Sequence, residues 1–189
     1  MAKKFKCKAC GAEFEKTYTT TQKVCNWQCA QKLGQEKVAK QIAKTDRRLQ
    51  RAAKERLKTT SDWLKEAQYQ FNKFIRLRDR KDPCISCGTF TAKWDAGHYK
   101  SVGAYPELRF DEENCHKQCA RCNQQMSGNI IEYRKNLINK IGIEAVERIE
   151  GPNRNEGAKI TIDEVKAIKE IYRKKAGELE QNLARQIEW

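Results

Sequence analysis

Apolar side chains recur at helical spacing over residues 63–75 and again from residue 165 onward. The first stripe follows the polar run Thr59-Thr60-Ser61-Asp62, which suits a helix N-cap, and contains Trp63, Leu64, Ala67, Phe71, Phe74 and Ile75. The second follows Thr161 and Glu164, which have capping-box spacing, and contains Val165, Ile168, Tyr172, Leu179 and Leu183. The pattern predicts two amphipathic helices, the second serving as core or as a dimer seam.

Two further stretches predict helices, and one predicts a hairpin. Residues 30–58 are rich in good helix formers, with one glycine and no proline, and residues 130–141 carry apolar positions before a break at Gly142. Between them, residues 89–94 have strand-like side chains, Asp95-Ala96-Gly97 suits a turn or bulge, and His98 begins a return strand. A helix near residue 122 then follows. These elements predict an α+β chain that is mostly α.

The composition leaves little apolar material for a large core, because 34% of the residues are charged and the mean hydropathy is -0.91. No stretch approaches the roughly 20 apolar residues of a membrane span, and the N-terminus lacks a signal peptide's apolar stretch. We therefore expect a cytoplasmic protein with no membrane partner. In a reducing compartment paired cysteines favour metal ligation over disulfides.

Eight of the nine cysteines form two sets of close pairs. The first is Cys7-x2-Cys10 with Cys25-x3-Cys29, and four thiolates at this spacing predict a structural zinc site in an N-terminal ribbon or finger. Such a module binds DNA, binds protein or caps a fold, and the sequence leaves these roles open. The second set is Cys84-x2-Cys87 with Cys119-x2-Cys122, where a second structural zinc would clamp the ends of the intervening loop.

The loop between the pairs of the second set contains both histidines of the chain, His98 and His116. A purely structural zinc knuckle is the alternative interpretation, but the placement of both histidines there favours catalysis. Zinc would hold the hairpin against the following helix, so that His98 faces Asn123. Cys115 is the odd cysteine, and a buried free thiol is its expected state.

The net charge of +14 is concentrated in one region. Residues 30–80 contain 15 basic and 6 acidic side chains, whereas residues 81–129 contain 6 of each. Such a block favours a polyanionic partner, most commonly a phosphate backbone, although a solvated lysine-rich surface is the alternative. The expected DNA contacts are Arg47, Arg48, Arg51, Lys73, Arg76, Arg78, Arg80, Lys100 and Arg109.

The second cysteine set resembles the HNH, or ββα-metal, nuclease family. Cys-x2-Cys is followed by Asp95-Ala96-Gly97-His98, by Asn114 five residues before Cys119, and by a Cys-x2-Cys pair that ends directly at Asn123. This ending is similar to that of recombination endonuclease VII of T-even phages. The run from Asp95 to Asn129, with the basic helical segments around it, resembles the lambdoid phage NinG family, also called Rap, over most of the chain.

The resemblance implies a phage-encoded recombination endonuclease that cuts Holliday junctions and D-loops in the bacterial host cytoplasm. It implies His98 as general base, and Asp95 and the Asn123 carbonyl as ligands of one Mg²⁺ or Mn²⁺. Asn114 would fix the loop backbone, and His116 would be a second ligand, a phosphate contact or a satisfied loop histidine. Most related motifs place Asp directly before the histidine, so a turn-stabilising role of Asp95 stays open.

Four regions are therefore expected: a zinc ribbon or finger at 1–29, a basic helical DNA-binding or linker region at 30–80, an HNH core at 81–141 and a helical region at 142–189. Symmetric cutting of a four-way junction needs two active sites, which favours a homodimer. Two other interpretations are a non-catalytic zinc-finger DNA-binding recombination adaptor and a structural recombination mediator whose helices dimerise.

Overall fold

The computed structural model describes residues 3–152 and 160–187, and the chain divides into two compact units, Met1–Lys58 and Thr59–Trp189. In the first unit, strand β1 (Phe5–Lys6) pairs antiparallel with β2 (Glu13–Phe14), and helix α1 (Trp27–Arg56) follows. The Asn26 side chain accepts a hydrogen bond from the Cys29 N–H at 2.8 Å and so caps α1. No residue of α1 is buried.

The core of the second unit is formed where helix α2 (Thr60–Arg78) packs along helix α5 (Ile162–Ile187). Both helices begin at capping boxes, Thr59 with Asp62 and Thr161 with Glu164. The sequence predicts the second box, and at the first it predicts an N-cap. Phe71, Phe74 and Ile75 of α2 share a buried cluster with Tyr172 and Ala176 of α5. The apolar face of α5 therefore contributes to the core of its own chain.

Against α2 lies a two-stranded sheet of β3 (Trp94–His98) and β4 (Cys115–Cys119), paired antiparallel with Gly97 opposite His116. The prediction of a turn at Asp95-Ala96-Gly97 is wrong, because β3 runs straight through these residues and its partner begins at Cys115. Glycine is required at position 97 by strand packing and not by a turn. A Cβ there would lie 2.1 Å from Oε1 of the buried Gln118, so glycine permits the close approach of the strands.

The predicted helix at Asn123 is a single π-helical turn, Arg121–Gln125, ended by the left-handed residues Ser127 and Asn129. Helices α3 (Ile130–Ile141) and α4 (Ile143–Glu150) follow, and they bury Leu137 and Val146 in a second cluster. The result is a mostly helical α+β chain with two small sheets. Within residues 3–152 and 160–187, no helix combines the length and apolarity that a membrane span requires.

Candidate metal centres and the site beside them

Each cysteine set brings its four sulfur atoms to within 4.8 Å of one another. Neighbouring sulfurs are 3.7 Å apart for Cys10 and Cys25 and 3.7 Å apart for Cys87 and Cys119. In a tetrahedral zinc site with Zn–S bonds of about 2.3 Å, the sulfurs lie about 3.8 Å apart. Both clusters therefore fit zinc and could bind it. In the part of the chain that the structure describes, these are the two groups of three or more His, Cys, Asp or Glu side chains with such spacing.

The second cluster joins three pieces of the second unit: the knuckle at Cys84, the end of β4 at Cys119 and the π-helical turn at Cys122. The Cys119 N–H donates to Cys84 Sγ at 3.2 Å, and the Cys122 N–H donates to Cys119 Sγ at 3.4 Å. Burial raises the pKa of Cys84, but backbone N–H donors outweigh it and lower that pKa, which favours the thiolate that a metal binds.

Beside this cluster, three polar side chains converge at the surface. Asn123 Nδ2 donates to Asp95 Oδ2 at 2.9 Å, and Gln124 Nε2 donates to the same oxygen at 2.7 Å. Rotation of each amide about its last torsion exchanges NH₂ for a carbonyl oxygen, so the group can present three hard oxygens to a cation. The structure thus brings together Asp95 and Asn123, which the sequence predicts, and adds Gln124. The only sequence signal for Gln124 was its place directly after Asn123.

His98 lies at the end of β3 on the opposite face from Asp95, because side chains three positions apart in a strand point to opposite sides. Its ring stacks on Phe71 of α2, with centroids 5.9 Å apart. Nε2 lies 2.9 Å from the Arg109 carbonyl oxygen, to which it donates, and Nδ1 lies 3.7 Å from Cys115 Sγ. The expectation that His98 faces Asn123 is therefore corrected: strand β3 separates the two side chains.

The protonation state of His98 follows from this environment. Burial lowers the pKa of His98 below its ordinary value, although the hydrogen bond to the Arg109 carbonyl opposes the shift. The imidazole is uncharged at neutral pH and carries its proton on Nε2. Cys115 is a buried free thiol, as predicted, and burial raises its pKa, so the sulfur keeps its proton.

Asn114 fixes the loop between β3 and β4. Its Oδ1 accepts from the Lys100 N–H at 2.8 Å, and its Nδ2 donates to the carbonyl oxygens of Lys100 and Leu108, each at 3.1 Å. The side chain is fully buried. These contacts hold the loop that carries the Arg109 carbonyl, and hence they bear indirectly on the orientation of His98.

His116 is buried, and its recorded side-chain contact is with Tyr133 of α3 and not with the Asp95 cluster. It lies opposite Gly97 in the sheet, and its Nδ1 is 3.4 Å from the Tyr133 hydroxyl, which donates to the Gly97 carbonyl. Burial lowers the pKa of His116 to about 3, so the ring stays neutral. A histidine in the cysteine-bounded loop was therefore not a sufficient signal of function.

The predicted DNA contacts divide into free and engaged side chains. Arg78 is engaged: its Nε donates to Asp79 Oδ1 at 2.7 Å, and its terminal nitrogens donate to the Glu112 and Cys115 carbonyls, both at 2.8 Å. This corrects its assignment, because Arg78 fastens α2 to β4. Lys73 pairs with Glu180 of α5 at 2.9 Å. Three exposed residues of α1, namely Arg47, Arg48 and Arg51, pair with no carboxylate among the described residues.

The remaining predicted contacts lie on the second unit. All four are half-buried. Arg109 Nη1 lies 3.5 Å from Gln68 Oε1, and the Lys100 ammonium lies over the rings of Tyr99 and Tyr105. The other two are Arg76 and Arg80. The sequence missed the buried carboxylate of Asp79, whose pKa is lowered because its contacts with Arg78 outweigh the effect of burial. Its place beside Arg78 was the available signal.

Comparison with known proteins identifies the family. The family model described as Bacteriophage Lambda NinG protein matches residues 1–182. Over 124 residues, 65% of this chain, the sequence is 56% identical to "Protein ninG" of Escherichia phage 933W and of Escherichia phage lambda, covering 61% and 60% of those proteins. The corresponding protein of Salmonella phage P22 is 54% identical over the same length. The chain thus spans about three fifths of the curated relatives it matches. No solved structure matches it. The chain belongs to the bacteriophage lambda NinG family.

Proposed function

We propose that this protein is a metal-dependent DNA endonuclease that hydrolyses phosphodiester bonds in branched recombination intermediates such as Holliday junctions and D-loops. The observation that carries the proposal is the convergence of Asn123 and Gln124 on Asp95 directly beside the second cysteine cluster. The HNH-type order of Asp95, His98, Asn114 and Asn123 supports it. Cutting both strands of a junction symmetrically would need two copies of the chain.

The proposed chemistry assigns one task to each side chain. A bound Mg²⁺ or Mn²⁺ would stabilise charge on the scissile phosphate and on the departing 3′ oxygen. The Asp95 carboxylate and the Asn123 amide oxygen would hold that cation, with Gln124 as a third oxygen donor. These groups are held in place by Cys122, since Asn123 follows that cysteine directly and cannot move independently of the cluster.

His98 is the proposed proton acceptor for the attacking water. Its neutral imidazole suits a general base, and the Arg109 carbonyl leaves Nδ1 as the nitrogen with a lone pair. That nitrogen contacts the buried thiol of Cys115. The proposal therefore requires Nδ1 to exchange the thiol for a water molecule when DNA binds.

A second candidate function is non-catalytic DNA binding by a zinc-stabilised recombination adaptor. The contact of His98 Nδ1 with the Cys115 thiol favours the adaptor, because both nitrogens of His98 are then engaged within the protein and the ring packs on Phe71. In that function the Asp95 cluster would only stabilise the surface of the hairpin. Cleavage, and not binding, separates the two candidates.

The test is cleavage of labelled four-way junction, D-loop and linear DNA by the zinc-loaded protein with and without Mg²⁺ or Mn²⁺. Asp95→Asn should reduce metal-dependent cleavage by roughly 10²-fold or more while junction binding is retained, because only the cation's carboxylate ligand is lost. Asp163→Asn is the matched control, since this exposed carboxylate at the start of α5 loses the same charge far along the sequence from the cluster. A wild-type protein that binds all three substrates and cuts none overturns the nuclease and leaves the adaptor.

A further inference from the structure

Between residues 37 and 54, helix α1 carries its positive charge on one side. Between residues 37 and 54 it has seven basic residues, and at about 100° per residue they fall within an arc of about 120°. Every position in that arc is Lys or Arg, and no position outside it is basic. The basic stripe consists of Lys37, Lys40, Lys44, Arg47, Arg48, Arg51 and Lys54, all exposed.

The rest of the helix surface differs from the stripe. Asp46, the one acidic residue in this segment, lies about 140° from the centre of the stripe, where it does not neutralise it. Val38, Ile42 and Leu49 lie about 160° from the centre, on the opposite side of the helix. Charge and apolar surface are thus separated, which a merely solvated helix does not require.

Comparison with α5 shows that the stripe has no carboxylate partner in the part of the chain that the structure describes. On α5, Lys166, Lys169 and Arg173 each pair with a carboxylate, at distances of 3.5, 2.9 and 2.8 Å. Within residues 3–152 and 160–187, no carboxylate lies within ion-pair distance of any of the seven stripe residues. Seven like charges on one arc repel each other, so the stripe favours a polyanion that relieves the repulsion.

We propose that the basic stripe of α1 binds the phosphate backbone of a DNA duplex arm, independently of base sequence. The stripe is about 26 Å long at 1.5 Å per residue, and duplex DNA carries one phosphate per roughly 1.7 Å of its axis, so phosphates are available to all seven side chains. The inference rests on the proposed function only in taking DNA as the polyanion. It assigns the first unit to holding an arm, a task separable from cutting.

The test is binding of a labelled linear duplex to the full-length zinc-loaded chain over a series of salt concentrations, without added Mg²⁺. The triple variant R47Q/R48Q/R51Q keeps the helix, since Gln and Arg have similar helix propensity. If three phosphate contacts are lost, the slope of log affinity against log salt should fall in magnitude by about 3, and affinity should fall roughly 10²-fold at 0.1 M salt.

The matched control is K166Q/R173Q/K174Q, which removes the same charge from the exposed side of α5. The proposal is overturned if the triple variant binds the duplex with unchanged affinity and salt slope. It is also overturned if the two variants lose equal affinity, because the effect would then reflect net charge alone. Wild-type binding to anionic lipid vesicles, with no binding to the duplex, overturns it in favour of a membrane surface. Circular dichroism of both variants checks that α1 remains helical.

Failure of this inference can be told apart from failure of the nuclease. If only the stripe is wrong, the triple variant binds the duplex normally and wild type still cleaves junctions with Mg²⁺. If only the nuclease is wrong, wild type cuts nothing, yet the triple variant still binds with a reduced salt slope. Raising the concentration of the triple variant until the junction is saturated should restore cleavage to the wild-type rate.

Discussion

The two faces of the β3–β4 hairpin are made of different kinds of side chain. Toward α2 the hairpin presents Ala96 and His98 of β3, with Ala96 in the same buried cluster as Phe71 and Cys115. On the other face, Asp95 contacts the π-helical turn, and Gly97 lies across from His116. The face toward α2, the packed face, lies against the aromatic side chains of that helix, and the other, polar face combines the Asp95 cluster with the buried side chains of His116 and Gln118.

This difference shows how the candidate site is distributed. Asp95 lies on the face that contacts Asn123 of the π-helical turn, whereas His98 lies on the face that packs against α2. A phosphate that contacts both would have to lie along the unpaired edge of β3.

The largest effect on stability is expected from Gly97→Ala on the polar face. The added Cβ would meet Gln118 at 2.1 Å from Oε1 and 2.9 Å from Cβ, and Gln118 is fully buried and cannot move away. Overpacking of this kind should lower the free energy of unfolding by about 3 kcal/mol. Denaturant unfolding followed by circular dichroism measures it.

Gly103→Ala is the control for that variant, since a Cβ at Gly103 meets nothing within 4 Å and its backbone does not require glycine. It should leave the unfolding midpoint nearly unchanged. A Gly97→Ala variant as stable as wild type would mean that β3 and β4 are not paired in this register.

A smaller loss of stability is expected from Asn114→Ala in the loop that joins β3 to β4. The variant leaves the half-buried Lys100 N–H and two carbonyl oxygens without their partner, which should lower the free energy of unfolding by about 2 kcal/mol. Asn114→Asp keeps the acceptor but sets a buried carboxylate oxygen against two carbonyl oxygens, so it should lose at least as much stability as Asn114→Ala. Equal stability of all three proteins would contradict the loop-fixing contacts.

Features that depend on neighbouring residues were predictable from the sequence. Three kinds of feature follow from spacing within one element or one knuckle: the caps at the starts of α2 and α5, the apolar stripes of these helices, and the close cysteine pairs. The contact of Asp95 with Asn123 was reached only through a family resemblance, since 28 residues separate them.

Features that depend on distant partners were not predictable. Asp95-Ala96-Gly97 has the composition of a turn, but Gly97 is required by Gln118, a neighbour only after β4 has paired. Arg78 has the charge of a DNA contact, but its donors are taken by the carbonyls of Glu112 and Cys115. The position of His98 on the α2 face likewise follows from the strand register and not from its motif.

The smallest effect, and the most informative about the packed face, is expected from Cys115→Ala. In wild type the thiol donates to Nδ1 of His98, while Nε2–H donates to the Arg109 carbonyl. Removal of this weak bond and of one buried sulfur should lower the free energy of unfolding by about 1 kcal/mol. The imidazole ¹⁵N spectrum should show a shift at Nδ1, with Nε2 still protonated, because the carbonyl can only accept.

The chain has two histidines, so His98→Gln assigns the signals directly. Cys115→Ser is the matched variant, since its hydroxyl can still donate to Nδ1 and should keep that signal near its wild-type position. If the nuclease proposal holds, Cys115→Ala frees the lone pair of the base and should cleave at least as fast as wild type. An Nδ1 signal that does not respond to Cys115→Ala would mean that the thiol does not contact His98, and the packed face would then leave the base free without any rearrangement.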